Sequence, residues 1–403
     1  MSKCNINQKK LPEFFEIPKL LQDTLLKSID SELTTPLIIL CKDIIKSNLF
    51  FFSETLNIPV NDIFFAVKAN NDPRVLHVLE KSGSNFEIAS SGELDLLKQL
   101  NINPTRILFS NPVKISSHIK AAYDYGIKRF AFDTEEELKK ISIHAPLSEV
   151  YLRFNVSNHG AGWKLEGKFG AEPENAVNLL KKAVLFNLKP LGITFHVGWD
   201  NKDIKAWEDA VERAVQIVKR CLHDGLYLQF VDLGGGFPAH AVSDQYYTLQ
   251  SIGSAIAPHI NTLRNKYNLA VFAEPGSFII NNCAAMVASV YSIINRGSAK
   301  WVFIDSSINH GFIWIYNGIE YHTILLNNTD KADKLKRNKI EEPLMEECII
   351  TGPTCDSEDV FGRAVLLPDT LKEGDYICIY PAGGYTNSSK NYNGFDFPKL
   401  HIV

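Results

Sequence analysis

Between residues 63 and 276, short apolar runs rich in β-branched and aromatic side chains recur eight times, each pair separated by a stretch long enough for one helix. They are "IFFAVKA" (63–69), "NFEIAS" (85–90), "RILFS" (106–110), "RFAFD" (129–133), "EVYLRFN" (149–155), "LGITFHVG" (191–198), "LQFVDLGG" (228–235) and "AVFAEPG" (270–276). Near-continuous apolarity marks strands buried on both faces, as in a parallel sheet with helical crossovers. The intervening "DPRVLHVLEKSG" and "SGELDLLKQLN" start on Asp or Ser, space their apolar residues at helical intervals and stop at Gly or Asn. Eight such units predict a (β/α)8 barrel, although an open doubly wound sheet shares the local pattern.

Beyond residue 276 the texture changes to strands joined by turns, as in "AAMVASVYSII", "WVFIDSS", "EECIITGP" and "GDYICIYPAGG". The expected division is a barrel over residues 37–279 and a β-rich domain made of residues 1–36 and 280–403. The strand "TTPLIILC" straddles the first boundary; the barrel count is complete without it, so it is expected to partner the β-rich part. A chain of 403 residues, 45% hydrophobic and 22% charged, has the composition of a soluble globular protein. Its net charge of -4 offers nucleic acid and anionic membranes no attraction, and the basic run "KADKLKRNK" (331–339) reads as a solvated loop. No apolar stretch approaches the length of a membrane span and no leader pattern is visible. Seven scattered cysteines without zinc spacing point to a reducing cytoplasm and no structural metal.

In a (β/α)8 barrel the active site lies at the carboxyl ends of the strands. Polar residues accumulate there: Lys68, Glu87, Arg153, His196 and Glu274. Singly, each has a bland explanation: a snorkelling lysine, a hydrogen-bonded core histidine, a Glu87–Arg153 ion pair. Five on one rim are harder to explain so. The loop after the seventh strand, "GGGFP", carries Gly234, Gly235 and Gly236, whose backbone could approach an anion closely, whereas a tight turn needs only one glycine. No dinucleotide or nucleoside-triphosphate fingerprint occurs. A phosphate cradle, a strand-end lysine and a strand-end glutamate together suggest pyridoxal 5'-phosphate: the lysine for the Schiff base, the glycines for the phosphate, the glutamate for the ring nitrogen and His196 for stacking.

These motifs resemble the fold-type III pyridoxal-phosphate decarboxylases, the ornithine, lysine and diaminopimelate decarboxylase family. The matching stretches, in family order, are "FAVKAN", "FEIASSGEL", "FSNPVK", "FAFDTEEELKKI", "LRF", "KFG", "FHVG", "DLGGGFP", "AEPG", "GPTCDSEDV" and "GGYT". The resemblance implies an alanine-racemase-like barrel followed by a β domain, and a homodimer with shared active sites. It also implies roles for Cys355 and Asp356, which by themselves read as a Gly-Pro turn. Cys355 would return a proton to Cα and Asp356 would hold the substrate's distal amine, both reaching into the partner subunit's barrel. Asp305 resembles the second carboxylate for that amine, Lys68 would carry the Schiff base, and Glu274 would pair with the ring nitrogen. Tyr385 would be a cofactor contact, and Glu87 and Arg153 supports near the lysine and ring. Asp356 favours a basic amino acid, ornithine before lysine, giving a diamine and carbon dioxide; diaminopimelate decarboxylases carry glutamate there.

Two positions depart from the family pattern. Ser277 replaces the arginine of "EPGR", which predicts weaker cofactor retention, and Trp199 replaces the serine of "HVGS", which predicts a narrowed or re-walled pocket. A decarboxylase of a non-standard amino acid therefore stays open, as does a regulatory homologue that has lost cofactor binding. A racemase has no use for the "GPTCDS" loop. The glycine-rich "NHGAGWKLEGKFG" (158–170) reads as a flap or an ordinary long loop.

Overall fold

The computed structural model describes residues 17–29, 34–165, 167–239, 245–326, 344–387 and 397–403. The basic run at 331–339 and the first 16 residues lie outside them. The chain divides into two units, Ile45–Asn281 and Met1–Ile44 with Asn282–Val403. A first strand, β1 (Leu37–Leu40), precedes eight strands that pair in parallel in sequence order. These are β2 (Phe64–Ala66), β3 (Asn85–Ile88), β4 (Ile107–Phe109), β5 (Arg129–Phe132), β6 (Glu149–Arg153), β7 (Lys189–Thr194), β8 (Phe230–Asp232) and β9 (Ala270–Phe272).

The amide of Phe64 donates to Ala273 O at 2.8 Å and that of Ala66 to Pro275 O at 3.2 Å, so the last strand returns to the first and the sheet closes as a barrel. Its floor is a buried cluster of Phe64, Leu108, Ala131, Tyr151, Phe230 and Phe272. Bulk alternates around that ring: a Cβ added at Gly192 would sit 2.5 Å from the Phe230 ring, so glycine at that level admits the aromatic. The crossover helices start where capping chemistry predicts. Asp72, Ser90, Thr134 and Asp203 each accept an amide of the following first turn. Among the described residues no helix is long and apolar enough to cross a membrane.

In the second unit β10 (Ala284–Arg296) is the organising strand. Its first half pairs with β1 and with β15 (Tyr376–Tyr380), and its second half with β11 (Ala299–Ile304). A register shift between Val290 and Ser292 separates the halves; an extra residue there bends the strand and re-aims its far end. The sheet is completed by β12 (His322–Leu325), β13 (Met345–Thr351), β14 (Val360–Pro368) and β16 (Lys399–Ile402), in the order β12-β15-β10-β11-β13-β14, with β1 attached to β10 and β16 to β1. Because β1 pairs with β10 and β16, residues 37–44 lie in the β-rich unit. The compact unit that holds the barrel spans Ile45–Asn281, beside the expected range of 37–279.

Candidate active site

Side chains on a strand alternate sides, so the residues two positions beyond the floor cluster also point into the barrel. From Leu108, Ala131, Tyr151, Phe230 and Phe272 that step reaches Ser110, Asp133, Arg153, Asp232 and Glu274, with Thr194 at the same level on β7. The apolar floor thus gives way, one layer up, to hydroxyls, carboxyls and a guanidinium. Lys68, Glu87, Arg153, His196, Gly234, Gly235, Gly236 and Glu274 all fall on this layer or the rim above it. Ser110, Asp133, Thr194 and Asp232 had no place in the sequence reading, and continuing the period of two past each apolar run would have found them.

Lys68 Nζ lies 3.0 Å from Glu87 Oε2; the carboxylate is buried and the lysine side chain is 45% exposed. The ion pair of this rim is therefore Lys68–Glu87, not Glu87–Arg153. The Arg153 guanidinium lies 5.3 Å from the Phe169 ring and meets no carboxylate or hydrogen-bond acceptor among the described residues. A second acid stands behind the lysine. Glu93 accepts the Ala89 amide at 2.6 Å, and burial, followed by the charge of Glu87, pushes it up to about 7. Its folded value thus exceeds its unfolded one, so the stability it contributes is full below the unfolded value near 4.5 and is lost as pH rises through about 7. Over that window the loss is about 3 kcal/mol. Urea midpoints of the apoprotein should therefore show Glu93→Gln gaining on the wild type between pH 5 and pH 8, and a constant difference would contradict this.

Glu274 is 8% exposed, and its Oε1 accepts the Ser110 hydroxyl, which in turn lies 2.5 Å from the Tyr151 hydroxyl. Asp232, fully buried, accepts the Gly234 amide and the Thr194 hydroxyl, both at 2.9 Å, and shares a hydrogen bond with Glu274. Two buried carboxyls in contact do not both ionise without a nearby cation; burial pushes both upward, followed at Glu274 by the charge of Asp232, while the hydrogen bond from Glu274 pulls Asp232 partly back down. His196 Nδ1 accepts the Gly198 amide at 3.1 Å. Enclosure and the charges of Arg153 and Lys68 depress the imidazole well below its usual range, so it presents a neutral ring at pH 7.

The glycine loop is forced by its neighbours. Gly234 and Gly236 have φ of 62° and 102°, and a Cβ would lie 1.9 and 2.0 Å from Phe195 O and Gly198 O, far inside any non-bonded contact. A Cβ on Gly235 would fall 2.9 Å from Glu274 O and 3.2 Å from His196 Nε2. Among the described residues no acceptor takes the amides of Gly235, Gly236 or Gly276, which leaves three N–H groups at the strand ends unpaired. The two departures from the family pattern meet here: Trp199 Nε1 donates to Ser277 Oγ at 3.1 Å. The segment 158–170 also docks on Trp199, with Trp163 and Trp199 forming an antiparallel bridge and Leu165 N donating to Asn158 Oδ1 at 2.7 Å.

The remaining sequence-derived residues sit in the β-rich unit. Cys355 is exposed, and Asp356 Oδ1 accepts the Glu358 amide at 3.0 Å, the turn closure expected of that segment. Asp359, unmarked by the sequence reading, is the anchor beneath them. Fully buried, it accepts from Ser307 Oγ and Ile308 N at 2.9 Å and from Thr354 Oγ1 at 2.7 Å. It thereby ties the Cys355–Asp356 turn to the segment that begins at Asp305. Asp305 itself accepts from Thr35 Oγ1 at 2.6 Å and Ser289 N at 2.9 Å. Tyr385 adopts a left-handed φ of 61°, uncommon for a bulky side chain, with its ring 5.7 Å from Trp314.

Residues 45–281 match the family model of the pyridoxal-dependent decarboxylases, pyridoxal binding domain. The chain is 32% identical over 372 residues to the lysine/ornithine decarboxylase of Selenomonas ruminantium, covering 92% of this chain and 90% of that one. It is 27% identical over 369 residues to antizyme inhibitor 2 of Xenopus laevis, covering 90% and 79%. The crystal structure of SrLDC in complex with PLP and cadaverine superposes with a TM-score of 0.81 at 29% identity, covering 96% of this chain and 94% of that one. The barrel rim suits such a cofactor on its own terms. Three unpaired amides are ready for a phosphate, a neutral imidazole for a planar ring, and a ring N–H⁺ against Glu274 would supply the cation that lets both buried carboxyls ionise. With family match and rim chemistry in agreement, the chain belongs to the pyridoxal-dependent decarboxylases, enzymes that use pyridoxal phosphate to remove the carboxyl group of an amino acid.

Proposed function

We propose that the substrate is a basic L-amino acid, L-ornithine first and L-lysine next, and that the product is a diamine. The observation that carries this is the pair of acids on the β-rich unit: Asp356 and Asp305, on segments both tied to buried Asp359, with the exposed Cys355 next to Asp356 in the turn. A distal ammonium entering an enclosed site needs compensating charge, and two carboxylates match it where a distal carboxylate would be repelled. Asp305 already accepts two hydrogen bonds, but an ionised carboxyl has roughly four acceptor positions, so it can take an ammonium as well. The names of its relatives, a lysine/ornithine decarboxylase and a structure holding cadaverine, support the same reading.

In this reading the cofactor acts as the electron sink for the bond to the departing carboxyl. Lys68 supplies the amine to which it attaches, with Glu87 beside that amine as its counter-charge. Glu274 and Asp232 hold the ring nitrogen's proton, His196 covers one ring face, and Gly234, Gly235 and Gly236 present amides to the phosphate. Arg153, without an acceptor among the described residues, supplies positive charge to the ring's edge. Tyr385 contacts the cofactor, and Cys355 delivers the proton to Cα, both from the other subunit of a cytoplasmic homodimer. A non-standard amino-acid substrate and a non-catalytic regulatory role are outcomes of the same test.

The test is carbon dioxide release by the purified protein with added pyridoxal phosphate, run on L-ornithine, L-lysine, L-arginine and meso-diaminopimelate. Release from ornithine or lysine, with the shorter and longer homologue separated by about 10- to 200-fold in kcat/KM, is the expected result. Release from diaminopimelate alone would sink the two-carboxylate argument. Cofactor absorbance with silence on all four would favour a non-standard substrate, and silence without absorbance the regulatory role.

A further inference from the structure

The side chains at the two departures, 78 positions apart in the chain, are joined by one hydrogen bond at the mouth of the glycine loop. Ser277 is 8% exposed and follows Gly276 directly, while Trp199 follows Gly198, whose carbonyl packs against Gly236. The indole N–H occupies one acceptor site of the Ser277 hydroxyl, and among the described residues that hydroxyl donates to nothing. A hydroxyl whose lone pair is fixed has its proton turned away from the donor, so this one becomes a directed donor beside the unpaired amides of Gly235, Gly236 and Gly276. The other side of the indole is held as well. A Cβ on Gly162 would touch its six-membered ring at 3.4 Å, and the Gly162 amide donates to Trp199 O at 2.9 Å. The ring therefore has little freedom to leave Ser277.

We propose that Trp199 is a positioning residue for the cofactor's phosphate: by fixing the Ser277 hydroxyl it completes a cradle of neutral donors, in which the serine hydroxyl and backbone amides hold the phosphate. The inference rests on the reading of this rim as the pyridoxal phosphate site and deepens it. It assigns Trp199 to the phosphate end of that site, whereas the sequence had suggested a wall beside the ring. A phosphate held by a hydroxyl and amides loses affinity when the hydroxyl is removed or misdirected. A ligand with the same ring and no phosphate is indifferent to both.

The experiment is titration of the apoprotein with pyridoxal phosphate and, separately, with pyridoxal, followed by tryptophan fluorescence and by visible absorbance. It is carried out on the wild type, Trp199→Phe, Ser277→Ala and the double variant. The phenylalanine keeps an aromatic ring against Gly162 and removes only the N–H. Trp199→Phe and Ser277→Ala are each expected to weaken pyridoxal phosphate about tenfold, the scale of one hydrogen bond to a charged group. Pyridoxal should be unaffected, and the double variant no weaker than Ser277→Ala, because the indole acts through the hydroxyl. The inference is overturned if Trp199→Phe binds pyridoxal phosphate as the wild type does, if pyridoxal weakens in parallel, or if the two losses add. A wild type that binds neither ligand overturns the cofactor reading itself, which separates the two failures.

Discussion

Lys68→Ala is expected to lower carbon dioxide release by on the order of 10⁴-fold or more and to abolish the visible absorbance that the bound cofactor gives the wild type. The reason is that neither Arg153, His196 nor Lys114 can substitute. Arg153 remains charged at any working pH and offers no nucleophilic lone pair. One nitrogen of His196 is taken up by the Gly198 amide. Lys114, another lysine at this end of the barrel, is fully buried and bound 2.8 Å from Glu137 Oε1. Lys68 combines a strand-end position with a 45% exposed side chain and a carboxylate at 3.0 Å. Lys68→Arg separates its two roles. It keeps the charge facing buried Glu87 and removes the amine, so it should restore the thermal stability that alanine loses and leave activity at the alanine level. Activity returning with arginine would mean that the ion pair alone is what the reaction needs.

The eight barrel strands were legible because a strand buried on both faces leaves an unbroken apolar run, and that signal survives without any alignment. Their ends were not. "IFFAVKA" spans 63–69 but only Phe64–Ala66 form the strand, because the chain leaves the sheet just where Lys68 has to face the rim. The strand-end heuristic found Lys68, Glu87, Arg153, His196 and Glu274 because each is a large polar group ending an apolar word. Asp232 escaped it: it stands immediately before the glycines, which drew all the interest of that segment. Asp359 escaped for a different reason. Its importance lies in three partners 51 to 52 and 5 positions away, and no local pattern encodes such contacts. The same applies to Trp199 and Ser277, each readable as an oddity, while their contact could be found only in three dimensions. The β-rich unit lost clarity because its strands depend on distant pairing: β1 joins β10 and β16 across most of the chain's length, and a boundary at residue 37 puts that strand on the barrel side.

Cys355→Ala is expected to slow product formation by about 10²- to 10⁴-fold, the range for removing a positioned proton donor, with cofactor binding and absorbance intact. The thiol is exposed on a turn that Asp356 and Asp359 hold. Asp356 closes the turn through Glu358 N, and Asp359 anchors it through Thr354 and Ser307. Alanine should therefore leave the loop in place and remove only the proton. A shared-site homodimer makes a sharper claim. A heterodimer of Lys68→Ala and Cys355→Ala chains, isolated with two different tags, would contain one site lacking both groups and one site with both, and should recover about half of the wild-type activity per dimer. Activity no greater than that of the Cys355→Ala homodimer would mean that lysine and cysteine serve the same site from one chain, or that the thiol is not the donor. A single-chain measurement in parallel distinguishes these, since a thiol that is not the donor leaves the Cys355→Ala homodimer near wild-type rate.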